Sequence, residues 1–141
     1  KLGRRSILLK TLPVMALSWF VAAAGMSFTS DSYSDSAQLA GGYTAVVAIC
    51  LFLFFFAIGI GSTPWALNSE IYPLHVIGTA NSLAATTNWV TNAVVSEVFK
   101  LVTEISLTCE IMVYAGLGLF ALLGWLFTYY MIPETAGKPI E

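Results

Sequence analysis

AVVAICLFLFFFAIGIGSTPWALNSEIYP, residues 45–73, opens as an unbroken apolar run. It closes on a segment with two glycines, two prolines, a tryptophan, an asparagine and a glutamate. The first half has the character of a helix in hydrocarbon. The second half, from Gly59 onward, is where such a helix has a reason to break.

The rest of the chain supports a bilayer setting. Of its 141 residues 57% are hydrophobic and 10% charged, and the mean hydropathy is +0.80; water-soluble domains carry about 25% charged residues. The charges are segregated, leaving uncharged runs over Thr11–Ser30, Ser36–Ser69, Ile71–Ser96 and Ile111–Pro133. Crossing roughly 30 Å of hydrocarbon takes about 20 helical residues, so each run is long enough. The sequence predicts an all-α membrane protein with transmembrane helices at about 11–29, 41–63 with a continuation to about 71, 79–99 and 111–132. Buried core helices are excluded as a set, because four such runs leave almost no polar face to meet water.

Basic residues orient the chain. Lys1, Arg4, Arg5 and Lys10 precede the first run and Lys138 follows the last, whereas Lys100 alone lies in a loop on the opposite side. By the positive-inside rule both termini face the cytoplasm, and a plasma-membrane location is expected. The formal net charge of -2 gives no sign of nucleic-acid binding. Cys50 and Cys109 fall at different depths, and with a single histidine there is no metal-ligand spacing. No cofactor is expected. The chain opens on KLGRR and stops after PIE, inside loop-like stretches, as expected of a piece of something longer.

Gly59, Gly61 and Pro64 fall within six residues. A proline removes a backbone donor and clashes with the carbonyl four residues back. In hydrocarbon the freed groups are tolerated only where other helices or a water-filled cavity supply partners, so the break marks either a cavity wall or close helix packing. Trp65 follows the proline directly. Its indole can stack on an apolar ring face and hydrogen-bond a hydroxyl, as a sugar or cyclic polyol requires, or it can anchor the helix at the headgroups.

Asn81, Asn88 and Asn92 share one helical stripe, the last two about 6 Å apart along the axis. An amide unpaired in an apolar medium costs roughly 2 to 7 kcal/mol, so the stripe faces protein, water or ligand. Interhelical bonding suits Asn81, and ligand contact suits Asn88 and Asn92. Trp89, about 100° further round, closes a flank of the same pocket or faces a neighbouring helix.

The segments GxGxxPW and SEIYPLxxxGTAxSLAxxxNW, with GRR upstream and PETxGK downstream, resemble the sugar porter family of the major facilitator superfamily. NSEIYPL is similar to its myo-inositol branch. The resemblance implies helices nine to twelve of a twelve-helix fold that moves a hexose or myo-inositol by alternating access, with the remaining helices and the bilayer as partners. Proton coupling is left open. It further implies that Trp65, Asn88, Trp89 and Asn92 face the substrate, and that Arg4, Arg5, Glu70 and Glu134 belong to a cytoplasmic gate. Three positions depart from the family pattern: Ala57 where some members carry an acid, Ile77 where the family has an arginine, and Ala136 where it has a lysine.

Two other classes compete with transport. An intramembrane enzyme would need paired acids, an activated nucleophile or a metal cluster, and Glu97 stands without such a partner. Glu97 suits either a surface pair with Lys100 or coupling chemistry. A truncated, non-transporting membrane fragment or interaction half-bundle is the alternative to transport for four helices, which are too few to enclose a cavity.

Overall fold

A computed structural model describes residues 3–132, together with all side chains in that range except those of Leu67, Ser69 and Glu70. It consists of helices α1 (Arg4–Ser27), α2 (Asp35–Ile58), α3 (Thr63–Ile71), α4 (Ile77–Thr103) and α5 (Leu107–Met131). Among the described residues there is no strand. The fold is all-α.

α1 lies between α2 and α5 and buries Leu8, Leu12, Met15, Ala16, Ala22 and Ala23. A helix apolar on all sides can be covered from two directions. Against it α2 presents Gly41, Ala45 and Ala48, spaced by four and three residues so that they form one narrow stripe. The backbones touch along it. A Cβ added at Gly41 would lie 2.6 Å from the carbonyl oxygen of Gly25, and one at Gly25 would lie 2.8 Å from that of Gly41. Such contact between small residues holds membrane helices together by dispersion where lipid removes the hydrophobic drive.

On the other side, Gly118 of α5 seats the ring of Phe20, with a would-be Cβ 3.0 Å from it. Trp19 bridges both neighbours, its ring centroid 4.6 Å from Phe52 of α2 and 5.5 Å from Tyr114 of α5. Tyr114 in turn meets Phe99 of α4 at 5.9 Å.

α1 contains Pro13 without ending there. The missing N–H leaves the Leu9 carbonyl, four residues back, without its helical donor. Trp125 of α5 supplies one instead, its Nε1–H donating to the Leu9 oxygen at 3.2 Å. Nearer the helix end, Arg5 donates from Nη2 to the carbonyl of Tyr129 at 2.7 Å and lies 5.8 Å from that tyrosine's ring centroid. Tyr129 belongs to the last turn of α5, whose carbonyls lack intrahelical donors and carry the negative end of the helix dipole.

Three helical segments are long and apolar enough to cross a membrane: α1, α2 continuing through the break to Ala66, and α5. α4, at 27 residues, has the length but not the apolarity. Its asparagines, threonines, Glu97 and Lys100 explain the difference. None of its described residues is buried within the chain.

α2 stops at Ile58, and residues 59–62 form turns before α3 resumes at Thr63. The backbone groups across the break remain paired: Gly59 N–H to Phe55 O at 2.9 Å, Gly61 N–H to Phe56 O at 2.8 Å and Thr63 N–H to Gly59 O at 3.2 Å. Pro64 lies in the first turn of α3, where a missing N–H costs nothing because that donor would be unpaired anyway. The break therefore falls before Pro64, at residues 59–62, and Pro64 starts the helix that follows it.

Gly59 has a φ of -93°, which any residue can adopt. It is needed for space, since a Cβ there would run into Thr11 Oγ1 and lie 2.9 Å from Thr11 Cβ. α3 ends at Ile71 because Pro73 drives Tyr72 into extended backbone, ψ 137°.

Candidate functional site

α3 packs beside α4, and between α4 and the broken α2–α3 segment opens a cavity of about 430 Å³ lined by Phe56, Ile60, Gly61, Pro64, Trp65, Asn68, Ala84, Asn88 and Asn92. Three residues expected at a ligand site from the sequence, Trp65, Asn88 and Asn92, share this cavity with two of the three residues expected to break the helix, Gly61 and Pro64. Gly59 packs instead on Thr11. Trp89 does not line the cavity; it projects from another face of α4 and is 71% exposed.

The sequence reading missed Asn68 and Phe56. Asn68 follows Trp65 by three residues, so the two share a face of α3. That spacing was available in the sequence, but the depth and rotation of so short a helix were not.

Polar groups elsewhere in the bundle are largely satisfied by their own helices. Thr11 donates to Ile7 O at 3.0 Å, Ser18 to Val14 O at 2.9 Å, Ser82 to Gly78 O at 2.9 Å, Thr86 to Ser82 O at 2.9 Å and Thr128 to Gly124 O at 2.8 Å. A hydroxyl can fold back onto the carbonyl of the preceding turn. The carboxamides of Asn68, Asn88 and Asn92 do not: among the described residues none of them makes a hydrogen bond, and neither does the indole N–H of Trp65. Each amide offers both donors and an acceptor. Among the described residues the lining holds no charge, and its amides suit a neutral solute that both gives and takes hydrogen bonds.

Ala84 and Asn88 also line a second cavity of about 600 Å³, together with Tyr72, Ala80, Leu83 and Thr87. The two cavities adjoin along α4, where Ala84 and Asn88 line both. Asn81 lies outside both; its Oδ1 is buried and has no hydrogen-bond partner among the described residues. Glu97 is exposed and, among the described residues, forms no ion pair with Lys100.

The four residues expected at a cytoplasmic gate are described unevenly. Arg5 reaches the end of α5 as above, and its Nε is buried without a partner among the described residues. Arg4 is half-buried in the first turn of α1. The side chain of Glu70 and the whole of Glu134 lie outside the described residues.

Long apolar helices around a broken one, three of the helical segments able to cross a membrane, have the make-up of a helical membrane protein. The comparisons agree. The profile of the family described as "Sugar (and other) transporter" matches residues 1–141, and the chain belongs to that family. It is 38% identical over 101 residues to "Probable inositol transporter 2" of Arabidopsis thaliana, covering 71% of this chain and 17% of that protein. It is 42% identical over 100 residues to "Proton myo-inositol cotransporter" of Homo sapiens, covering 70% and 15%. It is 31% identical over 141 residues to "Facilitated glucose transporter protein 1" of Caenorhabditis elegans, covering 100% and 26%. The chain thus spans between 15% and 26% of the length of these relatives. No solved structure matches it.

Proposed function

We propose that this chain is the helix nine to twelve portion of a twelve-helix transporter that carries a neutral polyhydroxylated ring, a hexose or a cyclic polyol, across the plasma membrane by alternating access. The observation that carries this is the 430 Å³ cavity in which an indole and three amides, without hydrogen-bond partners among the described residues, converge beside a helix break. An aromatic plate gives the apolar ring face a surface, and the amides match hydroxyls that are donors and acceptors at once. The volume is within the usual range for small-molecule sites, about 300 to 1,000 Å³. The relatives' names, inositol and glucose transporters, point to the same two substrate classes.

The break supplies the moving part. Transporter sites sit near the midplane where discontinuous helices meet, and rocking of one bundle against another opens them to alternate sides. Here the α3–α4 pair bears the cavity, and α1 with α2 and α5 forms the packed body against which it moves. Both termini face the cytoplasm, as the positions of the basic residues favour. Arg4, Arg5, Glu70 and Glu134 form the cytoplasmic gate, with Arg5 already held at the end of α5.

The test is uptake of radiolabelled myo-inositol, glucose and fructose by the full-length transporter in proteoliposomes, with and without a proton gradient. Saturable uptake of at least one is expected. Uptake of none, by protein that reconstitutes as a folded species, would favour the non-transporting membrane fragment. The gradient arm distinguishes proton-coupled from facilitated movement.

A further inference from the structure

On the basis of the transport function proposed above, we infer that Asn68 is a specificity-determining residue that favours a fully hydroxylated carbocycle over a hexopyranose. Asn68 is on the nine-residue helix α3, three residues from Trp65 on the same face, and both line the one cavity. With a ring stacked on the Trp65 indole, the polar group of α3 within the same cavity and one turn away is the Asn68 carboxamide, which has no hydrogen-bond partner among the described residues and is available to the ring's edge.

A carboxamide holds an acceptor and a donor side by side in one plane. Its natural complement is a vicinal diol, in which one hydroxyl donates to Oδ1 while its neighbour accepts from Nδ2. In a cyclohexane polyol every edge of the ring is such a diol, so any rotation of the stacked ring presents one. In a hexopyranose only part of the edge qualifies. The ring oxygen accepts but cannot donate, and the carbon beside it bears a hydroxymethyl arm instead of a hydroxyl. When either of these faces Asn68, a donor or an acceptor of the amide is left unmatched.

Asn88 and Asn92 come from the opposite wall, on α4, and bond hydroxyls of either ring class. Asn68 is the polar group that shares a helix face with the stacking plate. It therefore reads the outline of the stacked ring, while the α4 amides contribute to binding both classes.

The experiment measures kcat/KM for radiolabelled myo-inositol and glucose with the full-length transporter in proteoliposomes, comparing the natural protein with Asn68→Leu, Asn68→Ser and Asn68→Gln. Leucine keeps the volume and removes the amide. Serine keeps one hydroxyl but cannot span a diol. Glutamine keeps the amide. The ratio of myo-inositol to glucose is expected to fall about tenfold for Leu and Ser, the effect of losing hydrogen bonds to one partner, and to stay within about threefold for Gln. Glucose kinetics should worsen in Leu and Ser as well, but by less than those of myo-inositol, because only part of a hexopyranose edge can pair with the amide.

If Asn68→Leu does not reconstitute, the comparison of Ser with Gln decides. An unchanged ratio in Leu and Ser, in a protein that transports either solute, overturns the specificity role and leaves the transport function standing. A natural protein that transports neither solute overturns the transport function itself.

Discussion

The indole Nε1 of Trp125 donates to the carbonyl oxygen of Leu9 at 3.2 Å, the same carbonyl that Pro13 deprives of its helical N–H. A proline defect in one helix is thus repaired by a side chain of another, and the repair ties α1 to α5. Trp125→Phe keeps the ring and removes the donor, so it should destabilise the α1–α5 contact by about 1 kcal/mol. Pro13→Ala restores the Leu9–residue 13 bond and should make Trp125→Phe nearly silent in the double variant. Thermal unfolding of detergent-solubilised single and double variants checks the cycle; additive effects would mean that the indole stabilises by packing alone.

Gly59 is required for space at the break. Gly59→Ala would drive a methyl into Thr11 of α1, and overpacking of this kind typically costs about 1 to 3 kcal/mol. Thr11→Ala in the same chain should recover only part of the loss, because the Thr11 Cβ contact remains. Gly116→Ala is the control. A Cβ there meets nothing within 4 Å, so alanine should leave the melting temperature unchanged or raise it through its better helix propensity. Equal losses at both positions would indicate a general intolerance of these helices.

Trp65 lines the cavity yet is 42% exposed within the chain, so it contributes little to packing. Trp65→Ala should lower kcat/KM about tenfold by removing the stacking surface, with surface expression near that of the natural protein. Unchanged uptake kinetics would return Trp65 to the role of an interfacial anchor.

Asn92 offers its amide to the same cavity without a hydrogen-bond partner among the described residues. Asn92→Ala should raise KM roughly threefold to tenfold, since the hydroxyl it served loses its partner. Initial-rate uptake over a range of solute concentrations measures this. A fall in expression with KM unchanged would show the amide to be a packing contact to a neighbouring helix.

The sequence by itself determined the class of protein and the place of the break. Segregated charges and long apolar runs point to a bilayer whatever the packing, because three of the helical segments have the length and apolarity to cross one. Helical period alone put Asn88 and Asn92 on one stripe, since the angle per residue is fixed by backbone geometry. The period did not say which neighbour that stripe faces. Tertiary structure decided that α3 folds beside α4, which brings Trp65 and Asn68 against Asn88 and Asn92 and leaves Trp89 outside the cavity. It also decided that Pro64 starts a helix and that Arg5 reaches Tyr129. Each of these depends on how one helix is rotated and seated against another. That is set by close contacts such as Gly59 on Thr11 and Gly25 on Gly41, between residues far apart in the chain, and local sequence encodes the face of a helix but not its partner.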